Sequence, residues 1–231
     1  MNSALLDQIL EDRRAKRSAV LVSLHARGEQ WLIHPGEDAP PGLPGEVAVA
    51  ALEALEKNTS RLTVIGGDSY FLQSFNPALR MIIVGAVHIG QVLAEMAKLA
   101  GFEVVVVDPR EAFATPSRFE GIELRTEWPD QALQELAIDA RTAVVTLTHD
   151  PKLDDPALAA ALDSQAFYIG SLGSKKTHRA RLERLAEKGF GAEDRARIRG
   201  PVGLAIGSVT PGEIAVSIVA QVVESLRARN P

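Results

Sequence analysis

The fold is decided by residues 81–108, which read MIIVGAVHIGQVLAEMAKLAGFEVVVVD. The uninterrupted apolar run Met81–Val84 predicts a buried strand, and the turn Gly85–Gly90 leads into a helix predicted over Gln91–Ala100. A second apolar run, Val104–Val107, predicts another strand, which Asp108 closes. Apolar strands without alternation that are joined through a helix are typical of a parallel sheet covered on both faces. The stretch therefore predicts an α/β domain with a Rossmann-like parallel sheet.

The alternation of apolar strands and helices continues towards the C-terminus, as such a sheet requires. The pattern predicts helices at Ala157–Leu162 and Lys175–Lys188, and strands at Ala143–Leu147, at Ala166–Ile169 and near Gly203–Ile206.

The last helix has a complete start signal. Thr210 is suited to the cap, Pro211 to the first helical position, and Glu213 completes a capping box. Apolar residues then occupy most faces of the helix between Ile214 and Leu226. Such a helix is either deeply buried or lies in a subunit interface, and we therefore expect a homodimer.

The residues before Pro77 have a different pattern, with two hairpins and two helices, and predict a small α+β domain. The predicted organisation is this N-terminal domain over residues 1–76, followed by the Rossmann-like domain over residues 77–231. The predicted N-terminal elements are an opening helix around Leu5–Leu10, a hairpin of Ala19–Leu24 and Gln30–Ile33, a proline-rich loop over 34–45, a helix over Glu46–Lys57 and a second hairpin between Leu62 and Phe75.

The composition narrows the class of protein. The 231 residues carry a net charge of -5, which disfavours bulk attraction to nucleic acid or to an anionic membrane. The chain has no cysteine, which excludes disulfides, thiolate metal ligands and a catalytic thiol. Met1–Arg17 lacks the apolar segment of a signal peptide, and no apolar stretch is long enough to span a bilayer. We therefore expect a cytoplasmic protein that binds neither nucleic acid nor membrane.

The first glycine-containing turn matches part of a nucleotide-binding fingerprint. Gly85 and Gly90 take the first and third glycine positions of G-x-G-x-x-G, and Asp108 stands about 20 residues on, where such folds bind a ribose hydroxyl. Val87 replaces the middle glycine, and its side chain argues against the close approach of an ordinary pyrophosphate. The alternative is that the two glycines only permit a tight turn and close helix packing, with His88 capping or packing.

The stretch Gly170–Lys176 has the features of an anion site at a helix start. Gly173 permits close approach, Ser174 can cap the following helix, and backbone N–H groups at a helix start favour a negative charge. Lys175 and Lys176 add cations where helices usually prefer acids. This arrangement favours a bound phosphate.

A purely structural interpretation of the same helix stays open. Its first turns would then form a solvated basic face, in which Arg181 and Arg184 pair with Glu183 or Glu187. The coincidence of glycines and cations is the reason for preferring the phosphate.

Polar residues also follow the strand predicted at Ala143–Leu147, at the edge where open α/β sheets bind ligands. Thr148, His149 and Asp150 are therefore candidate ligand-binding residues. A metal site would need more converging oxygens or imidazoles, so no metal is predicted. His149 and Asp150 are the only candidate acid–base pair, and we assign no catalytic residue.

Several segments together resemble one known family in matching order. They are Gly85–Gly90, Val107–Arg110, Phe113–Phe119, Thr148–Asp150 with Asp154 and Asp155, Tyr168–His178, Gly200–Leu204 and Thr210–Ala215. With these segments the sequence is similar to the XdhC/CoxI family, whose members are accessory proteins for molybdenum hydroxylases such as xanthine dehydrogenase and carbon monoxide dehydrogenase. The resemblance runs from about Phe75 to the C-terminus. The N-terminal part departs from the family, which often carries a Gly-Gly-Cys segment there.

The resemblance implies a non-catalytic protein that binds molybdenum cofactor, a pterin dithiolene (molybdopterin) carrying a phosphate or a nucleotide. It implies delivery of that cofactor to an apo-hydroxylase, with a cysteine desulfurase as a further partner. Two other interpretations stay open, namely an NAD(P)-dependent oxidoreductase and a nucleotide-sensing regulatory module. The candidate cofactor-binding residues are Gly85, Val87, His88, Gly90, Asp108, Arg110, Thr148, His149, Asp150, Gly170, Ser171, Gly173, Ser174, Lys175 and Lys176.

Overall fold

A computed structural model describes residues 3–228, which form two compact units, residues 3–77 and 78–228. The first two and the last three positions of the predicted domains therefore lie outside the described residues. Within 3–228, no helix is long and apolar enough to cross a membrane.

The first unit is an antiparallel sheet with a helix packed on one face. The sheet has the strand order β2-β1-β4-β3, and every element predicted for this part of the chain is present. In chain order the elements are α1 (Ser3–Arg14), β1 (Ala19–Leu24), β2 (Glu29–Ile33), α2 (Gly45–Glu56), β3 (Arg61–Ile65) and β4 (Asp68–Phe75).

The core of this unit follows from the alternation of side chains along its strands. Val20 and Val22 of β1 and Leu72 of β4 point to the face on which α2 packs with Val47 and Ala51. All five side chains are fully buried.

Helix α1 is held in place by hydrogen bonds and ion pairing at its buried residue Asp12. Asp12 accepts a hydrogen bond from His34 Nε2 at 2.7 Å and pairs with Arg17 at 2.5 Å. Burial alone would raise the pKa of the Asp12 carboxyl, but the hydrogen bonds and the neighbouring positive charges outweigh burial and lower the pKa. His34 thus has a structural role.

The second unit is a six-stranded parallel sheet with helices on both faces, as predicted. Its strand order is β10-β9-β8-β5-β6-β7, which is the order of a doubly wound Rossmann sheet. The elements are β5 (Leu79–Val84), α3 (His88–Leu99), β6 (Phe102–Val107), β7 (Glu123–Arg125), α4 (Pro129–Glu135), β8 (Thr142–Thr146), α5 (Pro151–Leu162), β9 (Tyr168–Ser171), α6 (Lys175–Glu187), α7 (Ala192–Ala196), β10 (Ile198–Arg199) and α8 (Pro211–Ala228).

Each face of this sheet has its own core, because successive residues of a strand point to opposite sides. Met81 and Ile83 face the layer formed by α3 and α8. Ile82 and Val84 face the layer that includes α4, α5 and α6. All four side chains are completely buried, which explains why the run Met81–Val84 of β5 is apolar without alternation.

The strand predicted near Gly203–Ile206 is wrong, and the last strand is instead β10. Gly203 has φ +94°, and its N–H and C=O groups bond to the side chain of Gln221 at 2.9 and 3.1 Å. The N–H of Leu204 donates to the carbonyl of Ser217. The segment is therefore bound to α8 and does not pair with the sheet.

The start of α8 agrees with the predicted capping box. Glu213 accepts from the N–H groups of Val209 and Thr210 at 2.7 and 2.9 Å, and Thr210 accepts from the N–H of Glu213 at 3.3 Å. The helix is not buried all round. Val216 and Val223 are 48% and 37% exposed, on a face that leaves the core.

Candidate functional site

The candidate site lies where strand order reverses, at the carboxyl ends of β5 and its neighbours. Because the strands are parallel, the segments that follow them meet at one edge of the sheet, and such crevices are where open α/β sheets bind ligands. Four segments meet here: the glycine loop (85–87), the β6–β7 segment (108–119), the β8–α5 loop (147–150) and the β9–α6 loop (172–174).

The two glycines of the first turn are required by packing. Gly85 has φ +120°, and a Cβ there would lie 2.9 Å from the Thr148 Cγ2. A Cβ on Gly90 would collide with the carbonyl oxygen of Gly85. This is the structural role that the sequence left open, and it brings the start of α3 close to the β8–α5 loop.

The start of α3 leaves backbone donors available. Val87 is the N-cap in an extended conformation, and no side chain of the described residues caps the helix. His88 is exposed, so it neither caps this helix nor packs in the core. Uncapped N–H groups at a helix start attract an anion, although Val87 stands where the fingerprint has glycine.

The side chain of Asp108 is buried and hydrogen-bonded to other residues of the protein. Its carboxylate is fully buried and accepts from the N–H of Ala86 at 2.8 Å and from the N–H of Arg110 at 3.0 Å. Arg110 Nε and Nη2 also donate to it, at 2.9 and 2.8 Å. Burial alone would raise the pKa of Asp108, but these hydrogen bonds outweigh burial and hold the pKa below its usual value.

The β6–β7 segment holds the glycine loop through a second arginine. Arg118 Nη1 donates to the carbonyls of Ala86 and Phe113 at 2.9 and 2.7 Å. Both polar groups of the Ala86 backbone are therefore bound by this segment. Arg118 is absent from the site residues predicted from the sequence, although the family-like segment Phe113–Phe119 contains it.

Arg110 connects this segment electrostatically to the β8–α5 loop. Its guanidinium lies over the ring of Phe113, with Cζ 4.5 Å from the ring centroid. The hydrogen bond to Asp108 is the main reason why the pKa of Arg110 is raised, and the charges of Asp150 and Asp154 add to it.

The polar residues Thr148 and Asp150 of the β8–α5 loop form hydrogen bonds mainly with the start of α5. Asp150 caps α5 by accepting from the N–H of Lys152 at 2.9 Å, so α5 begins earlier than predicted. Thr148 donates to Asp154 at 2.7 Å. His149 is exposed and has a left-handed backbone with φ +60°. Among residues 3–228, no group of three or more His, Asp or Glu side chains could hold a metal ion.

The β9–α6 loop turns at a glycine and leads into a helix whose start is capped by a side chain. Gly173 has φ +143°, and Ser174 caps α6 by accepting from the N–H of Thr177 at 3.1 Å. Lys175 and Lys176 are exposed at the first turn. At the end of the strand before this loop, Gly170 is fully enclosed, and the Ser171 hydroxyl bonds to Thr146 at 2.5 Å.

Arg181 and Arg184 of α6 pair with Asp154 and Asp155 and not with Glu183 or Glu187, so the predicted pairing is wrong, whereas the exposure of Lys175 and Lys176 leaves the solvated basic face open. Arg184 binds Asp155 through Nε at 2.5 Å and Nη2 at 2.9 Å. Arg181 lies beneath the β9–α6 loop, where Nη2 donates to the carbonyl of Leu172 at 3.0 Å and to Asp154 at 3.3 Å.

The pair of Arg181 and Asp154 is buried and incompletely bonded. Their side chains are 2% and 1% exposed, and Arg181 Nε and Nη1 have no hydrogen-bond partner within the described part of the chain. Burial lowers the pKa of Arg181 despite the nearby carboxylates, and it raises the pKa of Asp154 despite the hydrogen bond from Thr148. This pair joins α5 to α6 and so fixes the β9–α6 loop.

Comparison with known proteins gives one family match and several relatives. The family model of the XdhC Rossmann domain matches residues 81–222. A probable xanthine dehydrogenase subunit of Bacillus subtilis is 33% identical over 180 residues, covering 76% of this chain and 52% of that protein. The "Molybdenum cofactor insertion chaperone PaoD" of Escherichia coli is 30% identical over 183 residues, covering 79% of this chain and 50% of that protein.

A solved structure is also similar. A crystal structure described as a xanthine dehydrogenase from Bacillus halodurans superposes with a TM-score of 0.72 at 26% identity, covering 98% of this chain and 65% of that one. The chain spans about half the length of the two relatives from Bacillus subtilis and Escherichia coli. Because the family model covers more than half of the chain, the protein belongs to the family of XdhC Rossmann domains.

Proposed function

We propose that this protein binds molybdenum cofactor as its cargo and delivers it to a molybdenum hydroxylase. The names of two relatives, a cofactor insertion chaperone and a xanthine dehydrogenase subunit, support the proposal. The observation that carries it is the meeting of anion-suited groups at one sheet edge. These groups are the uncapped start of α3, the guanidinium of Arg110, and Lys175 and Lys176 at the start of α6.

The residues fit the phosphate of the cargo better than they fit a metal. Backbone N–H groups at a helix start, together with lysine and arginine side chains, are the usual ligands of phosphate oxygens. Gly173 leaves the backbone of the β9–α6 loop uncovered by a side chain at the turn. The protein would therefore bind the cofactor through its phosphate and would leave the molybdenum to other ligands.

Delivery requires no chemistry from this chain. Asp150 is engaged as a helix cap, so it is not poised as a partner for His149. No observation favours the oxidoreductase, and we expect no turnover of an alcohol or aldehyde with NAD(P). The protein would act by binding, protecting and releasing the cofactor.

The partners follow from that role. The receiving partner would be an apo-hydroxylase, and a cysteine desulfurase would act on cofactor held by this protein where the hydroxylase needs a terminal sulfur. Because the chain has no cysteine, it contributes no sulfur carrier of its own. The cytoplasm stays the predicted location.

A homodimer is also part of the proposal. Val216 and Val223 are two helical turns apart, so they lie on the same exposed face of α8. A second α8 would cover this face in a symmetric contact. Val216→Glu should then shift the protein from dimer to monomer in sedimentation equilibrium, whereas Val49→Glu, at an exposed valine of α2, should not. A monomeric wild-type protein would contradict this part of the proposal.

The function is tested by loading and transfer. The protein is purified from a host that makes molybdopterin, and its pterin content is measured by fluorescence after oxidation. Loaded protein is then mixed with an apo-hydroxylase in the presence of an excess of an unrelated cofactor scavenger. We expect stoichiometric pterin and recovery of hydroxylase activity above that given by free cofactor. Protein purified without pterin, but with bound nicotinamide or adenine nucleotide, would support one of the other two interpretations.

A further inference from the structure

The carboxylate of Asp108 has no acceptor position left. A carboxylate offers about four lone-pair sites, two on each oxygen. Oδ1 accepts from the N–H and Nε of Arg110, and Oδ2 accepts from the N–H of Ala86 and from Nη2 of Arg110. The side chain is also fully buried. A ribose hydroxyl therefore finds neither access nor an acceptor at the position where dinucleotide-binding folds supply one.

Arg110 by contrast keeps donors that no described residue uses. A guanidinium has five N–H donors, and Asp108 takes one on Nε and one on Nη2. The side chain is 35% exposed and lies against the ring of Phe113, which fixes the plane of the guanidinium. The end of β6 therefore presents the positively charged guanidinium of Arg110, with unused N–H donors, where dinucleotide-binding folds present a carboxylate.

The glycine loop supports the same conclusion. The N–H of Gly85 is bound to the carbonyl of Val107 and the N–H of Ala86 to Asp108. These two donors are thus withdrawn from a pyrophosphate, and the side chain of Val87 stands beside them. Phosphate oxygens would have to bind Arg110 and the start of α3.

We infer that Asp108 is a positioning residue for Arg110 and that Arg110 is a phosphate ligand, so that the site selects a cofactor ending in a phosphate over its nucleotide-bearing form and over NAD-type dinucleotides. The pterin part of this inference rests on the proposed function. The selection itself rests on the contacts of Asp108 and Arg110, because a ribose needs an acceptor where this site offers donors.

The test uses three fluorescent probes in equilibrium titrations with the full chain. They are the oxidised pterin of the cofactor with its terminal phosphate, the same pterin carrying a cytidine nucleotide, and NADH. Wild-type protein should bind the phosphate form about tenfold more tightly than the nucleotide form, and NADH should not saturate. Arg110→Ala should weaken binding of the phosphate form by about tenfold and should strengthen NADH binding, because two acceptor positions of the Asp108 carboxylate become available.

Two further variants separate positioning from general damage. Asp108→Asn should also weaken the phosphate form, but it should not strengthen NADH binding, because no carboxylate remains. Arg125→Ala is the matched control: Arg125 is 33% exposed and bonds Glu123 two residues earlier, as Arg110 bonds Asp108. It should change none of the three affinities. Thermal unfolding of each variant checks the fold.

Each outcome has a distinct meaning. Equal binding of the phosphate and nucleotide forms by wild-type protein, or an unchanged preference in Arg110→Ala, overturns the inference. If wild-type protein binds neither pterin, the proposed function fails. The inference is then decided by NADH binding alone. Tighter NADH binding by Arg110→Ala, but not by Asp108→Asn, supports the inference. Unchanged NADH binding by Arg110→Ala overturns it.

Discussion

Arg181 reaches Asp154 with a single hydrogen bond of 3.3 Å, and both side chains are almost completely excluded from solvent. Nearby, Arg184 holds Asp155 with two hydrogen bonds. The two pairs link the same two helices, α5 and α6, but only the second has ideal geometry and a solvent-exposed arginine. Removing one or the other pair should therefore lower the free energy of unfolding by different amounts.

The first prediction concerns this difference. Among the described residues, Asp154 is the only carboxylate in hydrogen-bond contact with Arg181. Asp154→Asn therefore removes the hydrogen-bonded counter-charge of a buried cation, which should lower the free energy of unfolding by about 3–5 kcal/mol. Asp155→Asn leaves a cation that can reach water, and the loss should be about 1 kcal/mol. Urea unfolding followed by circular dichroism measures both. Replacing both members, in Asp154→Leu with Arg181→Met, should recover part of the loss, and a double variant less stable than Asp154→Asn would contradict this account.

The second prediction concerns the β9–α6 loop. Lys175→Ala with Lys176→Ala should weaken binding of the oxidised pterin phosphate by about tenfold or more, because a charge-assisted phosphate contact contributes about 1.5–3 kcal/mol. Both lysines are exposed, so the melting temperature should not change. Lys188→Ala, at the other end of α6, is the control and should bind normally. An unchanged affinity in the double variant would remove this loop from the site.

A substitution at Gly173 would test the same loop less selectively than the lysine variants. Its φ of +143° is one that a side chain rarely adopts, and a Cβ would lie 3.2 Å from Thr177. Gly173→Val should therefore lower both stability and affinity, and the two effects could not be separated.

Much of the fold could be predicted, because its strands have clear local signals. β5, β6 and β8 each contain an apolar run without alternation, and glycine, proline and capping residues separate them from the helices. β7 and α4 were not predicted, because a three-residue edge strand and a seven-residue helix are too short to show a period.

The sequence predicted which loops form the candidate site, but it did not predict which side chains contact one another there. The carboxyl ends of parallel strands meet at one edge, so the glycines and lysines could be assigned to it from the pattern alone. Asp154 and Arg181 are 27 residues apart, and no local signal reveals that α5 and α6 bring them together. Asp108 sits where the fingerprint places a ribose ligand, and only its contacts with Ala86 and Arg110 reveal that its acceptors are filled.

The third prediction is a pH dependence that arises from Asp108. Its pKa is lower in the folded protein than in the unfolded chain, where it is about 3.9. The unfolded chain therefore binds the proton more readily, and the stabilisation is fully present above about pH 4 and is lost as the pH falls through the lower folded value. Asp108→Asn should flatten the fall in unfolding free energy below about pH 4. A variant with the wild-type slope would show that other carboxylates carry the acid sensitivity.

The last prediction concerns the sulfur that some molybdenum hydroxylases need on the metal. Carrying sulfur as a persulfide requires a cysteine thiolate, because that side chain is nucleophilic enough at neutral pH to take sulfur from a desulfurase. This chain has no cysteine. Under the proposed function we therefore expect sulfur to pass from the desulfurase to the bound cofactor without a covalent stage on this protein. The measurement combines radiolabelled cysteine, a desulfurase, this protein and cofactor, followed by removal of the cofactor under non-reducing denaturing conditions. Label should leave with the pterin–metal complex, and the polypeptide should carry none. A parallel reaction with Lys175→Ala and Lys176→Ala should label less cofactor, because less of it is held, while the desulfurase itself becomes labelled as before. Label that stays on the stripped chain would contradict the role of a non-covalent carrier.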